Sequence, residues 1–271
     1  MVDKVEELFQ EQVASWPMLA RGVEALKHAQ TRIVDVNGYD VHVRHLPHRI
    51  VSTTAAVDAS SVAKRPCFLC AANLPAEEKG IPFGSEYKMY CNPFPILERH
   101  LTIVHNEHRP QRIAGQLSNM VAIAEALPGY FVIYNGPQCG ASAPDHMHFQ
   151  ACSTRLFPIG ADLAKGDGVT IPNYARRVWI FDDVKKLEER IGQAEPEPLL
   201  NIAAFSVAGK TTLLLFPRSK HRPAVFHSGE LTVSPATIDL CGIFVTPVEK
   251  DFVRITGEDI RKIYEEVTAR D

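Results

Sequence analysis

Two short runs constrain this chain more than anything else in it: "YFVIYN" at 130–135 and "HMHFQACS" at 146–153, separated by the small-residue stretch "GPQCGASAPD". Both read as strands. Alternate residues of a strand point to one face, so His146, His148 and Gln150 are expected to project together while Met147, Phe149 and Ala151 pack behind them. The two imidazoles would then stand ~6.5 Å apart, from a rise of about 3.3 Å per residue. The small residues ahead of them, Gly140, Ala141 and Ser142 among them, let backbone N–H groups approach an anion closely. A polar strand face without function is the plainer reading, but such faces more often carry Thr, Lys or Glu.

The rest of the chain alternates helical and extended patterns. Val5, Leu8, Phe9, Val13 and Trp16 recur at helical spacing over residues 3–29, with a break near Pro17. "VNGYDVHV" reads as a hairpin, because Asn-Gly tolerates the positive φ of a tight turn. "EYKMYCNPFPILERHLTIVHNEHRPQ" reads as two strands, "QLSNMVAIAEAL" as a helix, and "DDVKKLEERIGQ" as a short charged helix. "LLNIAAFSVAGKTTLLLFPRSKHRP" supplies two more strands, and "TGEDIRKIYEEVTAR" closes the chain as a helix. "RHLTIVHNEHRPQ" and "TTLLLFPRSKHRPAV" echo each other, each an apolar strand followed by His-Arg-Pro, as two half-similar units would give.

The 271 residues suffice for one large domain or two modest ones. The net charge of -3 leaves no global field to recruit nucleic acid or anionic membrane, so an anionic ligand must be held by local groups. No apolar run approaches the roughly 18 residues of a membrane span. The acidic N-terminus is unlike a secretion signal. Six cysteines without such a signal point to a reducing cytoplasm.

Three motifs carry chemistry or pretend to. Cys67 and Cys70 have metal-ligand spacing, but a tetrahedral site needs two more ligands, with His100, His105, His108 and His146 as candidates. A redox dithiol and a pair of buried structural cysteines compete with that reading. "AGKTT" at 208–212 imitates a phosphate-binding loop, yet Ala204 stands where its first glycine belongs and a strand follows. Arg49 and Lys64 are basic residues placed to serve a phosphate site, or equally to be solvated surface.

Taken together, the residues resemble the histidine-triad superfamily, in its transferase branch. That branch includes galactose-1-phosphate uridylyltransferase, diadenosine tetraphosphate phosphorylase and GDP-L-galactose phosphorylase. Its mark, His-x-His-x-Gln, is here His146, His148 and Gln150. Cys67-x-x-Cys70, "HLTIVHNEH", Asn135 and the Gly/Ser loop follow in family order, and "RPCFLC", "NPFPI" and "SPATID" are most similar to the GDP-L-galactose phosphorylases. The match covers about 40–155 and thins over 198–250.

The resemblance implies an α+β fold, a HIT-like antiparallel sheet with flanking helices, and a second, partial HIT-like unit in the C-terminal part. The corresponding segments are a helical 1–30, a catalytic unit over 31–160, a linker with a short helix over 161–198 and a completing half-unit over 199–271. It implies a cytoplasmic nucleotidyltransferase or phosphorylase acting on a nucleotide sugar or dinucleotide, with phosphate or a sugar phosphate as acceptor and a homodimer as a further association. His148 would form a covalent nucleotidyl adduct, Gln150 would hold a non-bridging oxygen, Ser142 would contact the departing or entering phosphate, and Asn135 would precede that loop. Cys67, Cys70, His108 and His146 would hold a structural zinc, with His105 as the substitute for His108. The alternatives are a nucleotide hydrolase of the same superfamily and a catalytically inactive, zinc-stabilised nucleotide-binding module. A zinc-dependent nucleic-acid binder is disfavoured by the net charge and the single Cys-x-x-Cys. Asp145 directly before His146, and Ser142 one step further from the pair, depart from the uridylyltransferase pattern.

Overall fold

The computed structural model describes residues 1–269; the last residue of the expected closing helix, Arg270, and the end of the expected C-terminal half-unit lie outside the described residues. Eleven described strands form two sheets. In chain order they are β1 (Gln30–Val36), β2 (Tyr39–His45), β3 (Gly80–Phe83), β4 (Tyr87–Cys91), β5 (Leu101–His105), β6 (Tyr130–Asn135), β7 (His148–Ser153), β8 (Trp179–Phe181), β9 (Leu200–Val207), β10 (Lys210–Pro217) and β11 (Ile243–Thr246).

Asn37 and Gly38 turn the chain with φ of 58° and 84°, the positive pair a tight hairpin requires. They join β1 to β2, and β11 adds to β2 in parallel to complete the small sheet. The large sheet is antiparallel throughout, in the order β3-β4-β5-β7-β6-β9-β10-β8. This bears out the α+β expectation. The C-terminal strands do not make a sheet of their own: β9 pairs directly with β6, Asn135 opposite Asn201, and β10 follows. The short helix expected within 161–198 is Val184–Ile191, and the same segment contributes the edge strand β8.

Apolar packing covers both faces of the large sheet. On one face Phe149, Ala151, Ile103 and Val132 meet Val5, Leu8 and Phe9 of the helix Val2–Ser15 and Met120 and Ile123 of the helix Leu117–Ala126. The expected break near Pro17 is real: Trp16 is extended, as the residue before a proline prefers, and Pro17 opens the next helix, Pro17–Lys27. On the other face Phe131, Ile133 and Cys152 meet Val41 and Val43 of β2, Ile243 of β11 and Ile260 and Tyr264 of the helix Gly257–Val267. No described helix is long and apolar enough to cross a membrane.

Candidate functional site

β7 lies at the middle of the large sheet, paired with β5 on one side and β6 on the other. The strand starts at His148, two residues later than the alternation suggests. Only His148, Gln150 and Cys152 therefore share a strand face, and His146 belongs to the turn before it, its N–H donating to the Ala143 carbonyl. Gln111 seats the first residue of β7 against the last of β6. Its Oε1 accepts from the His148 backbone N–H at 2.8 Å, and its Nε2 donates to the Asn135 and His148 carbonyls at 3.0 Å.

The same arrangement settles the His148 tautomer. Nδ1 lies 2.8 Å from the His146 carbonyl. A carbonyl only accepts, so Nδ1 carries the proton and Nε2 keeps its lone pair. No hydrogen bond engages Nε2 among the described residues. Burial pushes the imidazole down to about 4, and it stands neutral at physiological pH. A neutral ring with its far nitrogen free can act as a nucleophile or accept a proton.

Gln150 is oriented by a chain of donors. The Ile96 N–H donates to His100 Nδ1 at 3.2 Å, which leaves the His100 proton on Nε2. That N–H donates to Gln150 Oε1 at 2.7 Å, so the amide is turned with its NH2 group away from His100. His100 is fully buried, and burial first, then Arg49, holds it down to about 3. It is therefore a fixed neutral donor and not a metal ligand. The residues alone offered no signal for this, because His100 is one of several histidines around β5.

A cleft enclosing about 680 Å³, its solvent-open part included, runs beside Gln150. Asn135, Gly140, Ala141, Ser142 and Arg49 line it, as the pattern of small and basic residues suggests, whereas His148 does not. Lys64 departs from expectation: it is exposed at the end of the helix Ala59–Ala63 and lines no part of the cleft. Asn135 Oδ1 accepts from Asn201 Nδ2 and from the Thr237 N–H and hydroxyl, which fixes its amide group. Gly140 has φ +101°, and a Cβ there would lie 2.5 Å from the Ala236 Cβ. Only glycine lets the loop approach the 234–237 segment so closely. The Gly140 N–H is not free for an anion, since it donates to His221 Nδ1 at 3.2 Å. His221, Arg222 and Asp239 also line the cleft; His221 and Arg222 belong to the His-Arg-Pro echo and Asp239 ends "SPATID", but neither pattern marks them as cleft residues.

Asp145 pairs with Arg65 at 2.9 Å, and the Arg65 guanidinium stacks over Phe68. Beside that pair, Cys67, Cys70, His108 and His146 gather with their ligand atoms within 4.8 Å of one another, a group that can hold a metal ion such as zinc. Cys67 Sγ is 3.3 Å and Cys70 Sγ 3.5 Å from His146 Nδ1, and Cys70 Sγ is 3.2 Å from His108 Nδ1. Zinc bonds of about 2.3 Å to sulfur and 2.0–2.1 Å to nitrogen make a tetrahedral S···N edge of roughly 3.6 Å. The fit is good. His146 Nε2 donates to the His105 carbonyl at 2.8 Å, which aims the Nδ1 lone pair at the thiols. His105 itself stays outside the group: its Nδ1 accepts from the Glu107 N–H.

Three crystal structures of yeast Ap4A phosphorylase Apa2 share this fold. The first superposes with a TM-score of 0.62 at 17% identity, covering 93% of this chain and 96% of that one. The complex with Ap4A gives 0.63 at 18% identity over 93% and 96%. The complex with AMP gives 0.59 at 14% over 97% and 94%. At these identities the likeness is one of fold. No curated protein matches the sequence. A family model described as "Domain of unknown function (DUF4922)" matches residues 8–153, a stretch that runs from the first helix to the last residue of β7 and so takes in Gln150, its donor His100 and all four metal-type ligands. The chain belongs to the DUF4922 family.

Proposed function

We propose that this protein is a nucleotidyltransferase of the phosphorylase type, transferring a nucleotidyl group from a nucleotide sugar or dinucleoside polyphosphate to phosphate or a sugar phosphate through His148. The observation that carries the reading is the pair of preset groups on one face of β7: a neutral imidazole with its Nε2 lone pair unengaged, and two residues on an amide whose N–H donors are turned away from His100. The shared fold with a phosphorylase that was crystallised with Ap4A and with AMP supports it.

In the first step the Nε2 lone pair attacks the α-phosphorus. An N–P bond forms, the bond from phosphorus to the bridging oxygen breaks, and the leaving group departs with that electron pair. The ring gains positive charge, and the Nδ1–H donating to the His146 carbonyl strengthens as it does. The Gln150 amide donates to a non-bridging oxygen and the Ser142 hydroxyl serves the departing phosphate, both as preset dipoles where charge develops. In the second step an oxygen of the acceptor attacks phosphorus and the N–P bond breaks, returning the neutral ring. Splitting one displacement into two lowers each barrier.

A metal at Cys67, Cys70, His108 and His146 would act as a cross-link, since four protein ligands leave no position for substrate. It would tie the 67–70 turn to the residue two before His148.

The test is incubation with GDP-hexose, UDP-hexose and Ap4A, with and without phosphate, followed by mass measurement of the trapped protein. A nucleotidyl mass on His148 that disappears in His148→Ala is expected. Turnover without phosphate dependence would identify a hydrolase, and nucleotide binding without any adduct an inactive binding module.

A further inference from the structure

The cleft holds two guanidiniums, Arg49 and Arg222, and one carboxylate, Asp239. Neither Arg49 nor Arg222 forms a salt bridge among the described residues, although the Asp239 carboxylate favours the Arg49 charge from a distance. Arg222 is held rigidly: its Nη2 donates to the Thr53 and Ala55 carbonyls at 2.8 and 2.9 Å, its Nε to Ser234 Oγ at 3.1 Å, and it stacks on Phe226. Arg49 is anchored by one bond, Nη1 to the Phe94 carbonyl, and its buried Nε has no partner. Asp239, which also lines the cleft, has both oxygens engaged by backbone donors, Oδ1 with the Val245 N–H and Oδ2 with the Ala236 N–H. Two half-buried cations thus face one carboxylate, and the positive charge in excess is costly unless an anion arrives.

His221 adds a third donor. Its Nδ1 accepts the Gly140 N–H, so its proton is on Nε2, and that nitrogen is buried with no partner. A buried N–H left unpaired is costly, and an incoming acceptor relieves that cost. The neutral ring thus passes the loop's donor outward, replacing a backbone N–H of the small-residue loop with a side-chain one.

We propose that His221, Arg222 and Arg49 form a second anion subsite, beside the Gly140–Ser142 loop, that takes a phosphoryl group other than the one His148 attacks. It rests on the reading above for the identity of the first phosphate. Two fixed cations and a neutral donor suit a phosphate dianion better than a carboxylate or a neutral sugar. Such a group can be the free acceptor phosphate or the phosphoryl group next to the scissile bond.

Calorimetric titration of the full chain with inorganic phosphate and with pyrophosphate tests it. Pyrophosphate, able to occupy both positions, binds the wild type at least tenfold more tightly than phosphate. His221→Asn keeps an acceptor for the Gly140 N–H while deleting the Nε2 donor, and Arg222→Gln deletes a charge. Each is expected to weaken pyrophosphate tenfold or more with the melting temperature held within a few degrees. Equal binding of both anions by the wild type, or unchanged pyrophosphate binding in both folded variants, overturns the proposal. His148→Ala retains the pyrophosphate preference, so a missing adduct with intact anion binding defeats the catalytic reading alone. Slowed adduct formation in Arg222→Gln marks the leaving group's phosphoryl as the occupant, and slowed adduct release by phosphate marks the acceptor. An unchanged rate for both steps counts against the subsite.

Discussion

His100 and Gln150 face each other across the β5–β7 neighbourhood with a 2.7 Å hydrogen bond from imidazole Nε2 to amide Oε1. Because His100 Nδ1 is itself occupied by the Ile96 N–H, this bond has one polarity, and it decides which end of the Gln150 amide faces away. On the proposed reading this gives His100 a positioning role, since it lines no part of the cleft beside Gln150.

His100→Phe should release the Gln150 amide to rotate. Loss of one oriented donor predicts a fall in kcat of about ten- to a hundredfold with a much smaller change in KM. Steady-state kinetics on the substrate that gives the adduct checks it. An unchanged kcat in a folded variant means that Gln150 is held by something else.

The Gln150→His variant tests what an amide, in place of a titratable group, contributes at this position. An amide neither gives nor takes a proton at pH 7, whereas imidazole does both. Under excess phosphate, the variant should divert a larger share of the nucleotidyl adduct to water, read as the ratio of hydrolysed to transferred product. Identical partitioning rejects this account.

Metal content and stability should move together. Elemental analysis is expected to find one zinc per chain, and Cys67→Ser or prolonged chelation to remove it with a loss of several kcal/mol of folding stability, since binding a structural metal is folding free energy. Activity should fall in parallel with stability. A metal-free protein with full activity and an unchanged melting temperature contradicts the cross-link.

Acid should destabilise the fold through its buried neutral histidines. His100 is pushed to about 3 by burial, with Arg49 and His48 repelling its proton, and His221 to about 4 by burial, with Arg222, Arg218 and His227 adding to it. Both lie below the unfolded value near 6.5, so as pH falls the unfolded chain takes up protons first and stability declines from about pH 6.5 toward 4. For fully buried His100 the loss between pH 8 and pH 5 is roughly 2 kcal/mol. Urea melts at the two pH values should show a gap smaller by about that amount in His100→Phe.

Much of this was legible in short local patterns. The Asn37-Gly38 turn, the helix break at Pro17 and the alternation of β7 are local events, each decided by backbone preference or by a period. Cys67, Cys70, His108 and His146 came from the family motif, and the geometry brings all four together. What the motifs missed is long-range. Gln111, His100, His221 and Arg222 reach the site from distant segments; all four fall within the His-Arg-Pro echo, but nothing in that echo says which of its residues turn toward β7 or the cleft. The start of β7 was missed for a different reason: His146 keeps the strand's alternation in sequence, but its bond to the His105 carbonyl and its place among the thiols hold it in a turn.

The direct pairing of β9 onto β6 makes one sheet from two separate parts of the chain. The family stretch ends at residue 153, yet a chain stopped there would leave β6 with an open edge, prone to recruit another strand. It would also present half a cleft, because His221, Arg222 and Asp239 all come from beyond that point. On the proposed reading, the reacting groups His148 and Gln150 lie within the family stretch, and part of the cleft wall comes from beyond it. Under that reaction, substitutions at His221, Arg222 or Asp239 would alter the cleft wall and leave β7 in place.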